Sequence, residues 1–426
     1  MNENDVTYAI VFAVDYDINK DMDRSLAEMR GLVSACEMEV AGILTQTLPH
    51  PDNAMYLGSG KVNELKEYVE RTEASICICE GDLSPSQMRS LQDVLKVPVW
   101  DRTNLILEIF SRRAKTKEAK IQVEYAYLQF MLPRLSGMWQ HLGRQGGGRF
   151  SNKGEGEKQI ELDRRIIKHR MAELSHELEQ ISKTRKVQRD GRSRGEMPRV
   201  ALVGYTNAGK SSLMNRLLGE EVTEKKVFEK DMLFATLDTS IRRIKCADNK
   251  EFLLSDTVGF IENLPHSLIK SFRSTLEEAA FADLILVVLD ASDCYCMEQC
   301  KVTEATLLEL GADKIPRIYV MNKCDNLDVH PVKTTVDGYD RIYISAKTGE
   351  GTDVLCASIL EKIFDASIHI DTVLSYSQAE LLNNMRKYAK VELLEYMPDG
   401  VHIIADCSKR LALEAGAIVP DDKEEY

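Results

Sequence analysis

The sequence predicts a multidomain α/β protein in four parts: an N-terminal α/β domain with a parallel sheet, an antiparallel helical hairpin, a doubly wound P-loop domain and a small α+β C-terminal domain. Three observations predict it. Apolar strand-like runs alternate with helical stretches over residues 1–102 and again over 199–365. Between them, Ile121, Tyr125, Leu128, Leu132 and Leu135 recur at spacings of four and three, and so do Ile167, Met171, Leu174, Leu178 and Ile181. Finally, GYTNAGKSS (204–212) stands between an apolar run and the start of a helix.

In the N-terminal part (1–102), YAIVFAVD (8–15), ASICICEGD (75–83) and VPVWD (97–101) read as strands, with helices near 22–37, 60–72 and 84–95. Strand–helix alternation favours a mainly parallel sheet. GSGK (58–61) is too short for a P-loop and reads as structural. The acidic opening MNENDVTYAIVFAVDYD lacks a basic leader, and no run approaches the ~18 apolar residues of a membrane span. Ten cysteines are scattered, clustering only in CYCMEQC (294–300), where no second pair stands at zinc-ribbon spacing. A reduced, cytoplasmic protein without a membrane span is expected, and nothing signals an oligomer, so a monomer is expected.

The two seams define a hairpin over 103–189, whose second helix, near 156–189, would run about 50 Å at 1.5 Å per residue. Its tip, GRQGGGRFSNKGEGEK (143–158), combines six glycines with Arg144, Arg149 and Lys153. Glycine disfavours helix and permits close backbone approach, while the cations seek phosphate, so these three are candidate RNA contacts. A basic linker follows (190–198). Charge is segregated to match: residues 1–100 carry 8 basic and 17 acidic side chains, 101–200 carry 22 and 13, and 201–426 carry 25 and 38. The overall charge of −13 therefore hides a positive middle.

In 199–365, strands are expected at 199–204, 240–247, 251–256, 284–290, 316–322 and 341–345. GYTNAGKSS supplies Gly204, Tyr205, Thr206, Asn207, Ala208, Gly209, Lys210, Ser211 and Ser212. Its backbone amides would cradle phosphates, Lys210 would reach the β and γ groups, and Ser211 would ligate magnesium. SDTVGF places Asp256, Thr257, Val258 and Gly259 at the next strand end, with Asp256 toward magnesium and the Gly259 amide toward the γ-phosphate. MNKCD brings Asn322, Lys323 and Asp325; Asp325 can accept from the ring N–H and exocyclic amine of guanine, a pair adenine lacks. Ser345, Ala346 and Lys347 end the last strand, with the Ala346 amide toward the guanine oxygen. The ligands implied are GTP and GDP. The remainder (366–426) has a helix near 377–390 and two runs joined by a Pro-Asp-Gly turn.

Phe260 stands where many GTPases keep a glutamine that orients the attacking water. Outside the nucleotide motifs, YLGSGKVNEL (56–65), LSPSQMRSL (83–91), WDRTNLILEIFSRRAKTKEAKIQVE (100–124), PRLSGMW, GRQGGG, KGEGEKQIELDRR, FATLDTS and LSYSQAELLN add a specific pattern. With them the chain resembles the HflX family of translation-associated GTPases over nearly its whole length. The resemblance implies the four-part fold above, binding to the large ribosomal subunit and its rRNA, and separation of ribosomes into subunits. The family commonly has a hydrophobic residue at the Phe260 position, which implies a variation in catalysis and not its loss. Since a phenyl ring cannot hydrogen-bond to water, the physical reading is slow intrinsic hydrolysis completed by a bound ribosomal surface. Within FATLDTS the resemblance selects Thr236, over Thr239, as the switch threonine that joins Ser211 and Asp256 at magnesium. One departure is the tip, where GGGRFSNKGEGE replaces a more compact glycine-arginine-glycine sequence.

Two further readings stand beside a ribosome-acting GTPase: an ATP/GTP-dependent rRNA-remodelling protein, and a non-catalytic GTP-gated assembly or dormancy factor. Asn207 has two readings as well. It either holds a potassium ion at the β–γ bridge, as in potassium-activated GTPases, or only ties the loop by hydrogen bonds.

Overall fold

The computed structural model describes residues 7–16, 21–135, 153–192, 197–219, 233, 234, 237, 240–246, 250–257, 259–261, 279–336, 338–364, 368–407 and 409–416. They fall into two compact units, one running to Ser182 and including Phe234, the other holding most of the remainder.

The first unit is built on a four-stranded parallel sheet of order β2-β1-β3-β4. Its strands are β1 (Thr7–Asp15), β2 (Met38–Thr47), β3 (Ile76–Cys79) and β4 (Val99–Trp100). Ala9 through Val14 of β1 are all buried, the continuous apolar run expected of an inner strand covered on both faces. Helices α1 (Met22–Ala35), α2 (Ser59–Thr72) and α3 (Pro85–Leu95) lie near the stretches expected. Local chemistry sets their starts: Asp21 caps α1, and Ser84 and Gln87 form a reciprocal capping box at α3 with Pro85 in its first turn. GSGK (58–61) opens α2, where Gly58 is the N-cap and its N–H donates to Gln46 Oε1.

Two helices then leave the sheet, α4 (Arg102–Arg113) and α5 (Lys117–Met131). Asp101 caps α4 by accepting from Asn104 N–H at 2.8 Å, and its other oxygen pairs with Arg134 at 2.8 Å. Phe110 of α4 meets Phe234 edge-on, centroids 4.7 Å apart, so part of LFATLDTS belongs to this unit. The long helix α6 (Lys153–Arg192) completes the hairpin. Arg170 grips Glu124 with two bonds of 2.7 and 3.0 Å, and Lys117 pairs with Glu177 at 3.1 Å. Residue numbers rise on α5 as they fall on α6, which makes the pair antiparallel, as the two seams suggest. The helix differs from expectation at both ends. It begins at Lys153, inside the stretch expected as a glycine-rich turn, and continues to Arg192, through the start of the expected linker. Gly154 and Gly156 fall in its first turn, and a helical glycine costs at most about 1 kcal/mol, which a long contiguous helix carries. Arg144 and Arg149 lie outside the described residues, as does the Lys153 side chain.

The second unit contains a seven-stranded sheet of order β10-β11-β9-β8-β5-β7-β6. Its strands are β5 (Arg199–Gly204), β6 (Ser240–Lys245), β7 (Glu251–Asp256), β8 (Leu284–Asp290), β9 (Arg317–Asn322), β10 (Lys333–Val336) and β11 (Tyr339–Tyr343). The five inner strands are parallel, and β6 and β10 pair antiparallel at the edges. Helices α7 (Lys210–Leu218) and α8 (Cys296–Glu309) lie between its strands in sequence, and α9 (Thr352–Phe364) follows β11. The core includes Val200, Leu202, Phe252, Leu286, Ile318 and Ile342. β5 lies between β7 and β8, where connections diverge to the two sides, so the crevice beyond its C-terminal end is the expected ligand position.

A separate three-stranded antiparallel sheet, β12-β14-β13, joins β12 (Ile368–Leu374), β13 (Lys390–Met397) and β14 (Gly400–Cys407). Met397 pairs with Gly400 across the expected Pro-Asp turn, and α10 (Ala379–Tyr388) and α11 (Lys409–Glu414) accompany the sheet. Among the described residues, no helix is long and apolar enough to cross a membrane.

Candidate nucleotide-binding site

The site gathers at the C-terminal ends of β5, β7 and β9. Gly204 ends β5 at φ +147°, and a Cβ there would lie 2.1 Å from the Val288 carbonyl oxygen, so only glycine fits. Asn207 takes a left-handed φ of +60°, with its side chain exposed. Gly209 caps α7 at φ +90°. The loop thereby turns back over the first turn of the helix, whose N–H groups and dipole favour an anion.

Lys210 is buried, and its ammonium donates to the carbonyls of Gly204 (3.0 Å) and Tyr205 (2.8 Å). Burial pulls its pKa down to about 8, against the opposing pull of the Asp256 carboxylate. A phosphate would supply the counter-charge that this ammonium lacks. Ser211 Oγ donates to Asp256 Oδ2 at 2.6 Å. A serine hydroxyl beside a carboxylate is an all-oxygen pair, which suits magnesium and not a soft metal. Ser211 would ligate the ion directly and Asp256 through water; magnesium, when bound, neutralises charge on the β- and γ-phosphates. Thr257 is anchored away from the loop, its hydroxyl donating to Leu202 O at 2.7 Å.

Gly259 packs against the loop: a Cβ there would come within 2.9 Å of Lys210 Nζ and 2.8 Å of Thr206 Cγ2. The next residue, Phe260, is 3% exposed. Its N–H donates to Gly204 O (3.1 Å), its carbonyl accepts from Thr206 N–H (2.8 Å), and it pairs with Tyr205 as an isolated parallel bridge. Backbone pairing and burial, not contact with water, occupy the position where many GTPases carry glutamine.

On the base side, Asn322 is 2% exposed and works as a tie. Its amide nitrogen donates to Ala208 O (2.8 Å) and its oxygen accepts from Ala346 N–H (3.0 Å), joining the phosphate loop to the Ser345–Lys347 loop. Lys323 adopts φ +62° and pairs with Asp290 at 2.8 Å. Asp325 is exposed, free of any burial cost until a base covers it. Gly351 is compelled, because a Cβ would lie 2.2 Å from Tyr343 O.

The structure thus brings together Gly204 to Ser212, Asp256, Thr257, Gly259, Asn322, Lys323, Asp325, Ser345, Ala346 and Lys347. Thr236 and Val258 lie outside the described residues. Two supports are absent from the sequence reading. Arg216 donates to Ala346 O at 2.9 Å and also bonds Lys347 O, and Asp290 holds Lys323. Arg216 sits 130 residues from its partner, so only its place on α7 facing the last loop signals it. In CYCMEQC the thiols are Cys294 (exposed), Cys296 (partly exposed) and Cys300 (buried), and they are not among the convergent metal-ligand groups found in the described residues.

A parallel sheet with a phosphate loop at its switch point, a Ser–Asp pair beside it and a guanine-type loop pair define a P-loop GTPase. Family models place the rest: residues 23–111 match the GTP-binding GTPase N-terminal region, 113–192 its middle region, and 199–323 the 50S ribosome-binding GTPase domain. The chain is 41% identical to GTPase HflX of Lacrimispora saccharolytica, covering 93% of this chain and 92% of that one. It is 40% identical to GTPase HflX of Caldanaerobacter subterraneus subsp. tengcongensis (90% and 87% covered) and 40% identical to GTPase HflX of Escherichia coli (83% and 82% covered). The solved structure of SsGBP with GDP superposes at a TM-score of 0.50, 25% identical, covering 85% of this chain and 100% of that one. This chain belongs to the HflX family and is a GTP hydrolase.

Proposed function

We propose that this GTPase binds the large ribosomal subunit through its basic hairpin and couples GTP hydrolysis to dissociation or rescue of stalled or resting ribosomes. The observation that carries the reading is charge segregation: residues 101–200 hold 22 basic and 13 acidic side chains in an otherwise acidic chain. Arg164, Arg165 and Lys168 of α6 are exposed, as phosphate contacts must be. The family description, a 50S ribosome-binding GTPase, names the same partner.

In the site, Gly204 to Ser212 cradle the phosphates, and Lys210 holds the β and γ groups. Ser211, Thr236 and Asp256 hold magnesium, and the Thr257–Val258–Gly259 turn senses the γ-phosphate. Asn322, Lys323, Asp325, Ser345, Ala346 and Lys347 select guanine. With Phe260 held in backbone pairing, free-protein hydrolysis is slow, and the bound ribosome supplies the missing group, an effect worth ~10³–10⁵ in other GTPases.

Co-sedimentation with purified subunits, run with a GTP analogue, GDP and no nucleotide, tests this. Analogue-dependent pelleting with the large subunit and stimulated turnover are expected. Nucleotide-independent pelleting, or a non-hydrolysable analogue that sustains repeated subunit separation, would sink the coupling. Rates in potassium against sodium at equal ionic strength, for the native protein and Asn207→Ala, decide between the two roles of Asn207.

A further inference from the structure

Behind the base loops lies a group of side chains that the GTPase reading does not use. Cys324 sits between Lys323 and Asp325, and its sulfur is buried. His330 stacks on Tyr343, rings 5.9 Å apart and 12° from parallel. Glu350 follows the Ser345–Lys347 loop, and its carbonyl accepts from Ser345 N–H at 2.9 Å. One ligand atom from each of Cys324, His330 and Glu350 lies within 4.8 Å of the other two.

We propose that Cys324, His330 and Glu350 form a binding site for a divalent transition metal of the zinc type. Three features of the arrangement support it. The first is the donor set: one thiolate, one imidazole and one carboxylate select zinc-like ions and disfavour magnesium and calcium.

The second is the imidazole. Its Nδ1 is 3.3 Å from the Pro331 carbonyl oxygen, which can only accept, so Nδ1 carries the proton. A backbone carbonyl on the far nitrogen is the usual support of a metal-bound histidine. Nε2 then faces Glu350 Oε1 at 3.4 Å, and either a second ring proton or a metal ion between them would reconcile the lone pair with the carboxylate.

The third is size. Tetrahedral zinc with Zn–N and Zn–O bonds near 2.0–2.1 Å separates two such ligands by about 3.3 Å. The His330–Glu350 distance of 3.4 Å already matches that edge. Cys324 Sγ lies within 4.8 Å of both other ligand atoms, against a tetrahedral S–N edge of about 3.5 Å, and the fourth position would be left to water.

The ion would clip together the two loops that carry Asp325 and Ala346. The site makes no use of the hairpin, so it stands or falls independently of ribosome binding.

The test is cobalt(II) titration of the full-length, reduced, metal-stripped protein in excess magnesium, read by absorption. A thiolate-to-cobalt charge-transfer band with tetrahedral ligand-field bands, saturating at one ion per chain and displaced by zinc, is expected. Cys324→Ser should abolish the charge-transfer band, and His330→Gln, a partly exposed position that keeps the fold, should weaken binding at least about tenfold. No band in the native protein overturns the proposal. So does a band that survives Cys324→Ser, which would assign cobalt to other thiols, or unchanged affinity in His330→Gln, which would leave the imidazole paired with a proton only.

Discussion

Asn322→Ala tests whether this side chain is a tie between loops, as its bonds indicate, and not a direct contact to the base. The substitution deletes the acceptor of the Ala346 N–H and the donor to the Ala208 carbonyl, bonds of 3.0 and 2.8 Å. Both partner groups are backbone in residues no more than 7% exposed, so water does not simply replace the missing side chain. Each orphaned group costs roughly 1–3 kcal/mol, and the pair about 2–6 kcal/mol. At 1.36 kcal/mol per decade, local opening of the two loops rises by roughly 30-fold or more. Hydrogen exchange followed by mass spectrometry, on peptides containing 204–209 and 345–347 in the nucleotide-free protein, reads this directly. Asp325→Ala is the counterpart. Its side chain is exposed, so it should change exchange by no more than ~0.5 kcal/mol while abolishing the preference for GTP over ATP. Exchange in both peptides within about threefold of native in Asn322→Ala would refute the tie, since a twofold-bonded buried amide cannot be removed so cheaply.

Nucleotide binding should take up a proton between about pH 8, the Lys210 value in the free site, and its ordinary 10.5, because phosphate charge restores the ammonium. In that window the unfolded chain also holds more protons than the folded one. The lysine's burial penalty is therefore full below about pH 8 and fades as pH rises. Calorimetry of GDP binding at pH 9 in buffers of different ionisation heat should show the uptake, and Lys210→Arg should remove it. Gly259→Ala, whose Cβ would sit 2.9 Å from Lys210 Nζ, should weaken a GTP analogue at least tenfold more than GDP in fluorescence titration. Phe260→Gln should leave the free-protein rate low, since it buries an amide at a cost of roughly 2 kcal/mol or more without freeing the backbone; a free rate equal to the ribosome-stimulated one would contradict this. Replacing Arg144, Arg149 and Lys153 with Ala should flatten the salt dependence of subunit binding by about one unit of slope for each phosphate no longer neutralised.

Much of this architecture is legible because the elements are locally encoded. The runs of β5 and β8 are buried on both faces and read as nearly unbroken apolar stretches, and Gly204 and Gly209 of the phosphate loop take positive φ values that favour glycine. β2 escapes a sequence reading because MEVAGILTQT mixes polar and apolar residues without strict alternation, and it is half-exposed at a sheet edge. β10 escapes for a similar reason, being a four-residue polar edge strand. The sequence misplaces the start of α6 because glycine signals a turn locally, whereas a helix of 40 residues carries Gly154 and Gly156. In the site, identity and order announce the phosphate and guanine motifs. The role of Asn322, and the parts of Arg216 and Asp290, depend on pairings across strand ends that no local pattern encodes.

The pairing of Phe260 with the phosphate loop fixes where a nucleotide-driven movement can pivot. Two backbone bonds tie Phe260 to the phosphate loop past the ends of β5 and β7, so Gly259 directly precedes a residue bonded to that loop. A γ-phosphate drawing on the Gly259 amide would therefore pull beside a bonded residue and not on a loose arm. Displacement must either unzip the bridge, exposing the Thr206 and Phe260 amides, or begin at Ile261, beyond it. Where the bridge holds, the pivot lies beyond Phe260, the position at which many other GTPases carry the water-orienting glutamine.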